Sequence, residues 1–145
     1  MTLQGWEASL DRVLALTVVL GQDMAAQLER DGLNDSRAHI IWELGHRGAS
    51  KQAALATALG VTPRAITSLV DALVSHGLVT REPHPSDRRA TLVTLTDRGE
   101  EVAHSFRVGH RELARRLFGD VPAGQLKTFD AVLEHVLDRL GPAQT

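Results

Sequence analysis

Apolar residues recur every three or four positions over most of this chain, apart from one short stretch where they alternate. From Leu3 to about Arg30, the residues Leu3, Trp6, Leu10, Val13, Leu20, Met24 and Leu28 form such a stripe, which predicts a helix. Leu14, Leu16 and Val18 widen the stripe beyond one face, so two sides of this helix are expected to be buried. At about 1.5 Å per residue it would be roughly 40 Å long, more than the width of a small domain. A helix that overruns its own domain in this way is expected to pack on a second chain. The segment "RDGLNDS" then interrupts it, with Gly32 in the C′ position and Asp35 or Ser36 as the next N-cap.

A second helix is predicted from Arg37 to His46, carrying Ile40, Ile41, Trp42 and Leu44. Ser50 is the expected N-cap of a short third helix, Lys51 to Leu59, which Gly60 stops. Thr62 followed by Pro63 is a strong start signal for a fourth helix, which runs to about His76 and ends before Gly77. Its apolar face is Ile66, Leu69, Val70, Leu73 and Val74. Its other face holds the cation Arg64 with Thr67, Ser68, Asp71 and Ser75, whose short side chains let a backbone approach a flat partner. "LVTR" and "RATLVTLT" are strand-like, and the turn-rich "EPHPSD" joins them into a hairpin with a tip of several residues. Thr96 and Asp97 then start a long fifth helix toward Phe118, and a sixth covers about Ala123 to Leu140.

The 145 residues fit one domain. The chain has no cysteine, which excludes disulfides and thiolate chemistry. The longest apolar run, "VLALTVVLG", is too short to span a bilayer, and no basic segment precedes it as in a signal peptide, so a cytoplasmic location is expected. The net charge of −2 argues by itself against a nucleic-acid partner. Its distribution says more: from Lys51 to Leu95, five cations face three carboxylates, leaving that segment at +2 and the remainder at −4. No phosphate-binding loop, nucleophile elbow, dinucleotide fingerprint or zinc-protease motif is present, and no convergent pair of carboxylates suggests an enzyme.

A short helix, the tight turn "LGVT", a second helix and a hairpin follow one another in the order of a winged helix-turn-helix. In that arrangement the second helix reads base edges in the major groove, and an arginine of the hairpin, the wing, enters the adjacent minor groove. The stretch "LATALGVTPRAITSLVDALVSHGLVTREPHPSDRRATLVTLTDRGEE" resembles the DNA-binding lobe of the MarR family of bacterial transcription regulators. The pattern is carried by Leu73, Gly77, Leu78, Val79 and Arg81, then by Asp87, Arg89, Val93, Leu95, Thr96 and Gly99.

The resemblance implies a mainly α fold with a small β-hairpin. Residues 35–97 would form the winged lobe, and 1–34 with 98–145 the long dimerisation helices of a single domain. It implies a homodimer on a pseudo-palindromic operator, more often repressing than activating, and release by a small phenolic or other aromatic effector. Arg89 would enter the minor groove with Asp87 as its wing partner, and Arg88 would favour phosphate. Thr62, Arg64, Ala65, Thr67 and Ser68 would face the major groove, and Arg81 completes the expected DNA-binding set. The family's cysteine-based peroxide sensing is closed to this chain.

Asp87 is expected to orient one of the two arginines, and Asp71 to pair with a nearby arginine. His39 and Trp42, beside Trp6, are a candidate ligand pocket, although a core tryptophan with an exposed histidine is the simpler reading. His39, Glu43 and His46 share a helix face with ligand-like spacing, but such spacing arises easily by chance, and no metal or cofactor is expected. The competing function is a winged helix turned protein-interaction module, against which the arginine pair and the hydroxyl-rich helix face both argue.

Overall fold

The computed structural model describes residues 2–141. The expected C-terminal segment extends to residue 145, and its last four positions lie outside the described residues. The elements are α1 (Leu3–Arg30), α2 (Asp35–Arg47), β1 (Ser50–Lys51), α3 (Gln52–Leu59), α4 (Pro63–Ser75), β2 (Val79–His84), β3 (Asp87–Leu95), α5 (Asp97–Phe118) and α6 (Ala123–Leu140). They form two compact units, Met1–Ala38 and His39–Thr145.

In the first unit, α1 ends as its glycine predicts. Gly32 has φ +68°, its N–H donates to Glu29 O, and the Leu33 N–H donates to Leu28 O. This is the paired-bond glycine cap that satisfies the last carbonyls of a helix, and Leu28 and Leu33 are both buried. The cap of α2 differs from expectation. Three successive residues are competent, and it is Asn34, not Asp35 or Ser36, whose Oδ1 accepts from Arg37 N at 2.9 Å. Asp35 then lies in the first turn, where the helix dipole favours its charge. Only Leu28 of α1 is buried.

In the second unit, Ile40, Ile41, Leu44, Leu55, Ile66, Val70, Leu73, Val79 and Val93 are its fully buried large side chains. Ser50 is not a cap. Ser50 and Lys51 pair with Val93 and Leu92 as a third antiparallel strand, so the expected hairpin becomes a sheet of order β1-β3-β2. Helix α3 therefore starts at Gln52 without a side-chain cap. Gly60, at φ +66°, ends it. Helices α3 and α4 lie at 109° to one another, within the range of about 90–120° for helix-turn-helix pairs. Thr62 caps α4 by accepting from Ala65 N at 3.1 Å, with Pro63 at the first helical position. Gly77 repeats the glycine cap at its other end, with Leu78 N bonded to Leu73 O.

Thr96 joins the sheet to α5. Its Oγ1 accepts from Gly99 N at 3.1 Å and donates to Gly77 O at 2.6 Å, while its own N–H donates to Leu78 O at 3.1 Å. One residue thus caps α5 and fastens it to the end of α4. Thr96→Ala is expected to lower stability by about 1–2 kcal/mol, read in a denaturant titration, because two hydrogen bonds go with the hydroxyl. Helix α6 has no fully buried residue. Phe118 and Phe129 approach ring to ring at 5.9 Å between α5 and α6. Among the described residues no single helix is long and apolar enough to cross a membrane.

Candidate nucleic-acid interface

The wing departs from a regular hairpin at the place its arginines occupy. Pairing between β2 and β3 keeps one register from Val79↔Leu95 to Pro83↔Thr91, and His84 then pairs with Asp87. Three residues, Arg88, Arg89 and Ala90, therefore have no partner on β2 and form a bulge. Both strands continue through the proline-rich segment that was expected to be a loop, so the tip shrinks to Pro85 and Ser86. Proline is tolerated here because Pro83 stands at the register shift, where a strand N–H is dispensable. At the tip, the Ser86 N–H donates to His84 Nδ1 at 3.2 Å.

Asp87 does not orient a guanidinium, as expected of it. Its Oδ1 accepts the backbone N–H of Arg89 at 3.2 Å, and its Oδ2 lies 3.4 Å from Lys51 Nζ. An aspartate readily reaches the N–H two residues on, and this short loop leaves the arginine side chain free to point elsewhere. Arg88 and Arg89 are exposed, and neither guanidinium has a hydrogen bond or ion pair among the described residues. Lys51 was not expected at the wing, since 36 residues separate it from Asp87.

Thr62, Arg64, Thr67 and Ser68 are exposed on α4, and Ala65 is half-buried. The Thr67 hydroxyl donates to Pro63 O at 2.9 Å and accepts from Gln52 Nε2 at 3.1 Å, which leaves it little capacity for a base. A cleft of about 510 Å³ separates the wing from the start of α4, with Lys51, Pro63, Thr67 and Arg89 among its lining residues.

Arg81 departs most from its expected role. Its guanidinium reaches inward: Nε donates to Gln52 Oε1 at 3.1 Å, one terminal nitrogen donates to Thr67 O at 3.1 Å, and the other binds the Asp71 carboxylate. Asp71 thus has the arginine partner expected of it. With 59% of the Asp71 side chain exposed, solvent screens the ion pair to about 1 kcal/mol or less, so its geometry matters more than its energy.

Of the candidate pocket residues, Trp6 lies on α1, while His39 and Trp42 lie on α2 in the second unit. The Trp42 ring stands 4.3 Å from the His46 ring and 5.2 Å from that of His110. Glu43 pairs with Arg47 at 2.8 Å and with His39 at 3.5 Å, and His46 Nδ1 donates to Trp42 O. The donors of that helix face are thus turned to local partners. Among the described residues no group of three or more His, Asp or Glu side chains is placed to hold a metal ion.

Residues 33–91 match the family model described as MarR family. An uncharacterized HTH-type transcriptional regulator of Mycobacterium leprae is 31% identical over 113 residues, covering 77% of this chain and 79% of that protein. The chain belongs to the MarR family. The HTH-type transcriptional repressor IacR of Pseudomonas putida is 29% identical over 119 residues, 82% of this chain and 71% of that one. The crystal structure of AbsC, a MarR family transcriptional regulator from Streptomyces coelicolor, shares the fold. Its TM-score is 0.78 at 23% identity, over 97% of this chain and 96% of that one. As a MarR-family protein, the chain is a DNA-binding transcription regulator of winged helix-turn-helix build.

Proposed function

We propose that the protein is a homodimeric repressor that binds a pseudo-palindromic operator, with α4 in the major groove and Arg89 in the adjacent minor groove. The observation that carries this reading is the bulge. It presents two arginines without internal partners, across a cleft from a helix face of short hydroxylated side chains. A minor groove offers a guanidinium both acceptors and a concentrated negative potential. Arg88 and Arg64 serve phosphates, while Thr62, Ala65 and Ser68 set the close approach of α4 to the bases. Repression is the activity named for IacR, to which this chain is similar. Release by a small phenolic or other aromatic molecule belongs to the same reading, and Trp42 with its two imidazole neighbours is the aromatic platform for it.

Dimerisation is supported by apolar side chains left bare on the terminal helices. Leu3, Trp6, Leu10 and Val19 of α1, and Val132, Leu137 and Leu140 of α6, are each more than half exposed. Light scattering is expected to give twice the 15.7 kDa chain mass, and a monomeric mass would count against the arrangement.

Selection from a pool of random duplexes tests the DNA reading. Sequencing the retained fraction is expected to show a palindrome with half-sites about one helical turn apart. No enrichment at low salt would instead favour the protein-interaction reading.

A further inference from the structure

We propose that Arg81, with Gln52, is a positioning residue that fixes where Arg89 stands relative to α4, and so couples the major-groove and minor-groove contacts. This inference rests on the DNA-binding reading of Arg89. Strand pairing would ordinarily hold the backbone of a wing residue, but the bulge removes Arg88, Arg89 and Ala90 from the β2 ladder. Polar contacts hold Arg89 instead. Its N–H is bound by Asp87, and Asp87 is bound by Lys51. Lys51 adjoins Gln52, and Gln52 Oε1 accepts from Arg81 Nε.

From Arg81 the same guanidinium continues to α4, reaching Thr67 O and the Asp71 carboxylate one helical turn apart. Gln52 also donates to the Thr67 hydroxyl, so it touches both the strand residue and the helix. The chain of contacts runs from the groove-facing side of α4 to the residue that enters the other groove. Arg81 itself sits in the regular part of the sheet, opposite Val93, and supplies a fixed point for it. A planar guanidinium with donors in three directions suits this place, and a lysine would not.

A double-mutant cycle tests the inference, using the duplex retained most strongly in the random-pool selection and fluorescence anisotropy as readout. Arg81→Gln in the wild-type background is expected to weaken binding about tenfold, and in the Arg89→Ala background by less than about twofold, because the residue it positions is gone. Equal losses in the two backgrounds would overturn the inference and leave Arg81 with a general structural role. If Arg89→Ala bound like wild type, the reading of the wing would fail instead. Gln52→Ala provides a milder second variant that keeps the Arg81–Asp71 pair. Its loss, about threefold, is expected to disappear in the same background. A loss that persisted there would likewise overturn the inference.

Discussion

Arg89→Ala is expected to weaken binding to the selected duplex by about 1–3 kcal/mol, or about five- to 150-fold, while leaving the melting temperature unchanged. The two halves of this expectation come from the same geometry. The Arg89 side chain is exposed and makes no ion pair or hydrogen bond among the described residues, so its removal costs the folded state almost nothing. What the residue does for the fold it does through its backbone, whose N–H binds Asp87, and an alanine retains that bond. The loss therefore falls on the complex. Anisotropy titrations over a series of salt concentrations should also show the slope of log K against log salt falling by about one, as one cationic contact is withdrawn. Arg88→Ala, if it serves phosphate, weakens all duplexes alike. Unchanged affinity for Arg89→Ala would sink the minor-groove assignment.

Gly99→Ala, in the first turn of α5, is expected to lower stability by on the order of 3 kcal/mol or more. A Cβ at this position would lie 2.1 Å from Leu78 O and 3.1 Å from both the Leu78 carbonyl carbon and Leu95 Cδ2. The obstacle is a backbone carbonyl that cannot swing aside, since Leu78 O accepts the Thr96 N–H at 3.1 Å. Relief would require α5 to move off the end of α4, breaking the Thr96 bonds to Gly77 and Gly99 as it did so. For a chain of this size such a loss corresponds to a fall in melting temperature of roughly 10 °C, which a thermal denaturation curve would reveal. An unchanged curve would mean that the junction is looser than its geometry implies. The requirement also explains a glycine inside a helix, where backbone freedom alone would disfavour it.

Local chemistry was legible in the sequence, and long-range pairing was not. Thr62 with Pro63, Gly60, Gly77 and Thr96 each act on residues within a turn, and the sequence placed those helix ends well. Where several neighbours could do the same work, the choice was open, as with Asn34, Asp35 and Ser36. Ser50 looked like a cap because a strand of two residues has no periodicity, and its partner Val93 is far away in the chain. The order of the wing could be read, whereas its bulge could not, because a register shift leaves no pattern in either strand alone. Roles within the interface followed the same division. Exposure of Arg88 and Arg89 agreed with a turn-rich tip, but the inward course of Arg81 depends on Gln52, 29 residues away, and on Thr67, 14 away. The lysine that binds Asp87 was hidden for the same reason.

The bond set at Thr96 makes the sheet a lever. This residue links the end of β3 to the base of α5 and bonds Gly77 and Leu78 just beyond α4, so a turn of α5 there strains the bonds at the root of the sheet. Seven residues of strand, at about 3.3 Å each and somewhat less across the bulge, put Arg89 roughly 20 Å from that pivot. A tilt of about 6° in the first turn of α5 would therefore carry the arginine through roughly 2 Å, enough to take the guanidinium out of the hydrogen-bond reach that the proposed minor-groove contact needs. On the proposed reading of the wing, small movements in the long helix would in this way be magnified at Arg89.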